Sequence, residues 1–168
     1  DQSKLIKILN PLGKEISQMR NSLLFGLLEN ISFNFKRQQQ NIKVFETGNT
    51  YLNNQDKFIE NKNLSLSITG NFYNRNWIYK KESDIFFRIK GIVNSILIKL
   101  GLEKYEEIES QRSMFEKVIE FRIGGKVIAS VGSINSKISN YFDIDEEVGY
   151  AELDLNHMFA FYSNKKFK

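Results

Sequence analysis

The residues of this chain that could do chemistry are few, and they form no complete catalytic set. The sequence contains 0 cysteines and 1 histidine, His157. A thiolate nucleophile, a cysteine-ligated metal and a disulfide scaffold are therefore excluded, and a multi-histidine metal site or an acyl-transfer triad is disfavoured. His157 lies near the chain end, where a surface or packed role is more typical than catalysis.

Two acidic clusters are the remaining candidates for acid–base or metal chemistry. Glu106, Glu107 and Glu109 could form a general acid and base. No apolar residues surround them to shift a pKa, so a solvated connector is the favoured interpretation. Residues 143–147 resemble a calcium loop but lack its central Gly and its terminal Glu. We therefore expect no catalytic, cofactor-binding or metal-ligating residues in this chain.

An aromatic and cationic segment, residues 71–80, is the candidate for nucleic-acid contact. Bases stack on aromatic rings, and Arg and Lys neutralise phosphates. An aromatic loop that packs on a sheet edge is the alternative, and it is the favoured one. The candidate RNA-contacting residues are Phe72, Tyr73, Arg75, Trp77 and Lys80.

Composition indicates a folded domain with an uneven charge distribution. The 168 residues are 41% hydrophobic and 26% charged, which suits one domain with a real core, and we assign residues 1–168 to it. Residues 1–102 contain 15 Lys and Arg against 8 Asp and Glu, whereas residues 103–168 contain 9 against 12. The basic part could meet RNA or an acidic partner, although a solvated surface is favoured.

No targeting or membrane segment is evident in the sequence. No uncharged apolar run reaches the roughly 18 residues that a membrane helix needs, and no signal-peptide pattern opens the chain. We therefore expect a cytoplasmic protein without membrane contact. The first residue is Asp1 and not Met, which favours a piece cut from a longer chain.

Hydrophobic periodicity predicts a helix and two strands in the first half of the chain. Residues 22–39 carry one apolar stripe, with Asn21 or Ser22 as the N-cap. A strand is predicted over residues 42–51, with Ile42, Val44 and Phe45 as core candidates, followed by a polar loop over residues 53–63. Residues 64–69 alternate, which predicts a half-buried strand with its leucines and isoleucine inward and Ser65, Ser67 and Thr69 on the other face.

The second half predicts a long helix, a hairpin and a final strand. The helix spans residues 84–100, with Ser83 as the N-cap and Gly101 as the stop. An acidic connector over residues 103–109 follows. Strands 117–123 and 126–134 are joined by Gly124-Gly125, and a short helix (136–142) and a strand (149–155) come last. This order predicts an α+β fold with a mostly antiparallel sheet.

Six segments, in order over nearly the whole chain, resemble the β chains of bacterial phenylalanyl-tRNA synthetases. Residues 10–28 are similar to the family's stretch NPLS-E-S-MRTSLLPGLL, with Asn21 in place of Thr and Phe25 in place of Pro. The segment that usually precedes the GKVIG hairpin is reduced to residues 111–116. The other similar segments are Val44-Phe-Glu-Thr-Gly48, Leu66-Ser-Ile-Thr-Gly70 with Trp77, Asp84-Ile-Phe-Phe-Arg-Ile-Lys-Gly91 with Leu100-Gly101, Lys126-Val-Ile-Ala-Ser-Val-Gly132 and Tyr150-Ala-Glu-Leu-Asp-Leu155.

The resemblance implies a fold similar to a class II aminoacyl-tRNA synthetase catalytic domain, an antiparallel sheet flanked by helices. It also implies that catalysis, with ATP and Mg, belongs to the α subunit of an (αβ)₂ ligase, while this β core is a degenerate copy. Such active sites clamp phosphate with Arg. The matching segment 45–52 has no Arg, and segment 150–157 has neither the Gly pair nor the Arg of the family's third motif.

Two functions therefore remain open at this stage. The first is a structural domain that holds the α subunit through the exposed part of an apolar helix face, over residues 22–35 or 84–100. The alternative is a tRNA-binding module that uses the basic N-terminal part and the aromatic segment around Phe72 and Trp77. Placing Glu152 and Asp154 where phosphates would sit, if they point inward, disfavours ATP binding.

Overall fold

A six-stranded antiparallel sheet with helices on both faces forms the centre of the protein. The structure is a computed structural model, and it describes residues 5–10, 17–54, 57–71 and 85–163. The strand order is β1-β2-β6-β5-β4-β3, with every neighbouring pair antiparallel. The predicted α+β class is confirmed. The elements are α1 (Leu24–Phe35), β1 (Ile42–Asn54), β2 (Lys57–Thr69), α2 (Ile85–Lys99), β3 (Glu106–Ser110), β4 (Phe115–Ile123), β5 (Lys126–Ile134), α3 (Ser136–Tyr141), β6 (Val148–Asp154) and α4 (Leu155–Ser163).

The two long helices form where the apolar periodicity predicted them. The expected N-cap at Asn21 or Ser22 is wrong, because α1 begins at Leu24 and its N-cap is Leu23, which has no side-chain cap. Ser22 Oγ still accepts a hydrogen bond from the Leu24 backbone N–H at 3.1 Å, which satisfies one free donor at the start of the helix. At the end of α2, Gly101 has a φ of +65° and the Leu102 N–H donates to the Leu97 carbonyl at 2.8 Å. This is the helix stop expected of Gly101. Ser83 lies outside the described residues.

The β4–β5 hairpin turns at Gly124 and Gly125, as the sequence predicts. Their φ angles are +55° and +76°. Consecutive positive φ angles match the type of two-residue turn that the twist of a hairpin favours, and glycine adopts them without a steric cost.

Two expectations for β1 and β2 are wrong. Residues 53–54 and 57–63 are strand and not loop, because β1 and β2 pair along their whole lengths, from Ile42↔Thr69 to Asn54↔Lys57. Backbone hydrogen bonds between strands form for polar residues as readily as for apolar ones. A prediction from the polar composition of this segment was therefore wrong. Phe45 is not in the core but 73% exposed, because it lies on the edge strand β1 and belongs to neither of the two apolar clusters among the described residues.

The expected inside and outside of β2 also need correction. Ser65, Ser67 and Thr69 are fully buried, while Leu64 and Leu66 are only partly buried. Helices cover both faces of the sheet, so both sets of alternating side chains in β2 point toward the interior, one set on each face. The apolar cluster beneath α2 and α4 takes the leucines, and the side beneath α1 takes the hydroxyl groups.

Two short elements depart from the prediction. The C-terminal part of the acidic connector forms β3, an edge strand whose glutamates are exposed. Charged side chains on an edge strand discourage pairing with other chains. Helix α4, which the sequence analysis missed, follows β6 and buries Met158. Among the described residues, no helix has both the length and the apolarity needed to span a membrane.

Candidate functional site

A polar cleft of about 360 Å³ lies on the α1 side of the sheet, beyond the part that α1 covers. Its floor follows from strand register, because Ser65 of β2 pairs with Glu152 of β6, which pairs with Ser130 of β5. Glu120 of β4 continues the row. The residues that line the cleft are Asn21, Thr50, Leu52, Asn61, Asn63, Arg112, Lys126, Val127, Ile128, Ala129, Ser130, Glu152, Asp154 and His157.

Glu152 is the hydrogen-bond acceptor at the centre of this cleft. Its Oε1 accepts from Asn63 Nδ2 at 2.8 Å. Its Oε2 accepts from Ser22 Oγ at 3.3 Å, from Ser65 Oγ at 3.4 Å and from the Tyr150 hydroxyl. Both carboxylate oxygens are therefore occupied by neutral donors within the protein.

Tyr150 is held in its neutral form by these surroundings. Burial of the ring raises the pKa of its hydroxyl far above the usual value, and the negative charge of Glu152 raises it further. The hydroxyl is also 3.0 Å from Ser65 Oγ. Tyr150 therefore acts as a hydrogen-bonding residue and not as an acid or base at neutral pH.

Glu120, the cross-strand neighbour of the cleft residue Ser130, holds two guanidinium groups. Its side chain is 8% exposed, and its oxygens lie 2.6 Å from Arg112 Nη2 and 2.6 Å from Arg122 Nη2. Burial raises the pKa of this carboxyl, but the hydrogen bonds from Arg122 and Arg112 outweigh burial and hold the pKa below its ordinary value. Both arginines are therefore engaged with a carboxylate of the protein itself.

Arg20, from the segment before α1, crosses the outer strand beside the cleft. Its Nη1 lies 2.6 Å from Glu46 Oε1, and its Nε donates to the Asn49 carbonyl at 2.9 Å. The guanidinium passes over Gly48, where an added Cβ would lie 2.2 Å from Nη2. A larger residue at position 48 would displace the guanidinium from this place, and Arg20, like Arg112 and Arg122, is engaged with groups of the chain itself.

His157 and Asp154 form the lower rim of the cleft. Asp154 Oδ1 accepts from the His157 backbone N–H at 2.9 Å, which caps the first turn of α4. His157 Nδ1 lies 3.0 Å from Asp154 Oδ2. The cap explains the position of Asp154, and it involves only the backbone of His157.

The other residues singled out in the sequence lie apart from this cleft. Glu106, Glu107 and Glu109 are on the edge strand β3, and Glu107 pairs with Lys90 at 2.6 Å. Asp143 pairs with Lys36, at the C-terminal end of α1, at 3.0 Å. Within the described ranges, no three His, Asp or Glu residues come close enough to hold a metal ion. The candidate RNA contacts Phe72, Tyr73, Arg75, Trp77 and Lys80 lie outside the described residues.

Sequence reasoning named Glu152 and Asp154, which do line the cleft, but it missed the hydrogen bonds around Glu152 and the ion pairs of Glu120. The only local signals are the alternating hydroxyl residues in β2 and the single carboxylate, Glu120, inside the apolar run of β4. A lone charge in a buried strand must be paired to be tolerated. That rule predicts a partner for Glu120, but it cannot identify Arg112.

Comparisons with known proteins place these features in context. Residues 1–155 match the family described as the phenylalanyl tRNA synthetase beta chain CLM domain. The phenylalanine–tRNA ligase beta subunit of Bacteroides thetaiotaomicron is 34% identical over 162 residues, which cover 89% of this chain and 20% of that protein. The Bacillus subtilis subunit is 29% identical over 155 residues, with 89% and 19% covered. The chain spans about a fifth of the length of these relatives.

The fold is similar to solved class II synthetase structures. A pyrrolysyl tRNA synthetase from Desulfitobacterium hafniense superimposes with a TM-score of 0.74 at 14% identity, covering 96% of this chain and 54% of that one. At this identity the likeness concerns the fold alone. It confirms the predicted antiparallel sheet of the class II synthetase type.

Proposed function

Since the chain belongs to the phenylalanyl tRNA synthetase beta chain CLM domain family, we propose that it is a non-catalytic assembly domain of a phenylalanine–tRNA ligase. The α subunit carries out the ATP-dependent attachment of phenylalanine to tRNA, with the Mg that this chemistry uses. The present domain, residues 1–168, holds the α subunit within a cytoplasmic (αβ)₂ assembly. It binds no cofactor of its own.

The saturated carboxylate of Glu152 carries this proposal. A site for ATP needs free cationic donors where the phosphates lie. Here the centre of the cleft holds a carboxylate whose two oxygens accept from Asn63, Ser22, Ser65 and Tyr150. Asp154 adds a second negative charge to the lining.

The arginines near the cleft support the same conclusion. Arg112 and Arg122 bind Glu120, and Arg20 binds Glu46. A phosphate could recruit any of them only by breaking an ion pair, which would leave Glu46 unpaired or Glu120 with one arginine fewer. This is consistent with the absence of an Arg from strand segment 45–52.

ATP–pyrophosphate exchange with phenylalanine tests the non-catalytic role. We expect no exchange above background from the β subunit that contains this domain, and full exchange from its complex with the α subunit. In the complex, Glu152→Gln should leave the exchange rate within about twofold, because Glu152 touches no reacting atom. Exchange by the β subunit alone would refute the proposal.

A tRNA-binding role is the second candidate. The β1–β2 hairpin projects beyond β6, which pairs with β2 only from Asn63 to Thr69. Near its tip, Phe58 is 74% exposed and follows Lys57, a combination suited to stacking and phosphate contact. Binding of tRNA that falls steeply with salt, and that Phe58→Ser weakens, would favour this role.

A further inference from the structure

One buried hydroxyl group in the polar cleft lacks a hydrogen-bond partner. Ser130 of β5 is 7% exposed, and in the row of residues that crosses the sheet it lies between Glu152 of β6 and Glu120 of β4. Both carboxylates bond to other groups. Among the described residues, none forms a hydrogen bond with the Ser130 hydroxyl. A buried polar group without a partner is costly, so this hydroxyl indicates a place for a group that the chain itself does not supply.

A second cavity adds an apolar wall to the polar cleft. It has a volume of about 190 Å³ and shares Asn21, Arg112, Ser130 and Glu152 with the cleft. A ligand at Ser130 can therefore reach both cavities, with polar groups in the cleft and an apolar face in the second cavity. The apolar residues in the described lining of the second cavity are Leu24, Phe25, Met114 and Phe115.

The charges of the cleft favour a neutral ligand. An anion would have to take Arg112 from Glu120, and a cation would have to displace the neutral donors around Glu152. A neutral ligand breaks none of these bonds. Lys126 is exposed to solvent, where screening weakens its charge. The formal charges of the described lining also cancel, since its cations are Arg112 and Lys126 and its carboxylates are Glu152 and Asp154.

The polar groups that the fold leaves without partners suit the hydroxyl groups of a ligand. Besides Ser130, the side-chain amides of Asn21 and Asn61 line the cleft, and they make no hydrogen bond within the described part of the chain. An amide offers both donors and an acceptor, and a serine hydroxyl can donate or accept. Ligand hydroxyl groups likewise donate and accept, so several adjacent ones can pair with this mixed set.

We propose that the polar cleft binds a neutral ligand with several hydroxyl groups, a sugar-type ligand whose hydroxyls bond to Ser130, Asn21 and Asn61. The apolar face of the sugar ring, or of a group attached to it, packs against Phe25 and Met114 in the second cavity. A free sugar and the ribose of a nucleoside share this chemistry. The proposal is independent of the assembly role, because the ligand binds whether or not the α subunit is present.

Isothermal titration calorimetry of the full β subunit tests the cleft with neutral probes. D-glucose and D-ribose represent free sugars, and uridine represents a ribose that carries a base. We expect at least one of them to bind with a dissociation constant of about 1 mM or below, which is within reach of ligands of this size. D-ribose 5-phosphate should bind no more tightly than D-ribose, because the cationic groups near the cleft are paired or screened.

Ser130→Ala separates ligand binding from folding. It should raise the dissociation constant about three- to tenfold, the effect of one lost neutral hydrogen bond. Thermal stability should stay equal or rise, because the removed hydroxyl has no partner in the described part of the fold. Asn61→Ala should weaken binding to a similar extent. The control, Ser133→Ala, makes the same change at a 5% exposed serine of β5 outside the described lining of both cavities, and it should change affinity by less than about twofold.

The remaining outcomes identify the ligand or overturn the proposal. Binding of uridine alone, or of the free sugars alone, supports the proposal and identifies the source of the hydroxyl groups. If no neutral probe binds, or if Ser130→Ala and Asn61→Ala bind like the wild type, the proposal is wrong. Tighter binding of D-ribose 5-phosphate than of D-ribose also overturns it, since the cleft would then be an anion site. None of these results depends on affinity for the α subunit, so the assembly role is tested separately.

Discussion

The two faces of the sheet are built by the same strands but are stabilised differently. In β6, Ala151 and Leu153 lie in the apolar cluster beneath α2 and α4, whereas Tyr150 and Glu152 face α1 and the polar cleft. Burial on the first face is non-directional and scales with area. On the second face, stability depends on donors and acceptors that meet at fixed positions. The two faces should therefore respond to different kinds of substitution, volume on one and polarity on the other.

The largest effect is expected from removing volume on the apolar face. Phe121 is fully buried, and its ring packs edge-on against Tyr105 at 5.1 Å between centroids. Phe121→Ala should lower the free energy of unfolding by about 3–5 kcal/mol, the usual cost of emptying such a site. Urea denaturation measures this loss. Phe45→Ala, at a 73% exposed position, is the matched control and should change stability by less than about 0.5 kcal/mol.

A change of polarity at constant size should break the other face. Glu152→Leu would remove the acceptor that Asn63 Nδ2 and the Tyr150 hydroxyl share, and it would leave each with one other contact, Thr50 Oγ1 and Ser65 Oγ respectively, each at 3.0 Å. We expect a loss of about 1–3 kcal/mol, because hydrogen bonds to a partly buried carboxylate are lost and no apolar group replaces them as an acceptor. Glu152→Gln keeps an acceptor oxygen and should lose less. Equal stability of Glu152→Leu and the wild type in urea denaturation would show that the hydrogen bonds of this face contribute little.

The same contrast explains what the sequence could predict. The α2 stripe and the Gly124-Gly125 turn are local patterns, and both appear where expected. The pairing of residues 53–63 and the contact between Ser65 and Glu152 depend on strand register across many residues. Burial of Ser65 could not be read from alternation, since that pattern does not say whether a second helix covers the other face. The hydrogen bonds that form the cleft could therefore not be predicted from local sequence patterns.

The ion pairs of Glu120, on the polar face, predict that the stability of the protein depends on pH. The folded pKa of this carboxyl is lowered, so its contribution to stability is present above the unfolded pKa of about 4.3 and is lost as the pH falls through the folded pKa. Between about pH 5 and pH 3, the wild type should lose about 1–2 kcal/mol more than Glu120→Gln, the scale of a charge-assisted hydrogen bond. Parallel urea titrations measure the difference. Identical losses in the two proteins would contradict the assignment.

The smallest expected effects come from two glycines, whose replacement by alanine should change the stability in opposite directions on the two faces. Gly91 lies on the solvent side of α2, where an added Cβ meets no atom, so Gly91→Ala should raise stability by about 0.5–1 kcal/mol through helix propensity alone. Gly132 lies on the α1 side of β5, where an added Cβ would be 2.5 Å from both the Lys117 carbonyl oxygen and Phe115 Cδ1. Gly132→Ala should therefore be destabilising. Thermal melting of the two variants compares them directly. If Gly132→Ala were stabilising, Phe115 and the backbone at Lys117 could move aside for a methyl group, and the α1 face would be less rigid than its close packing implies.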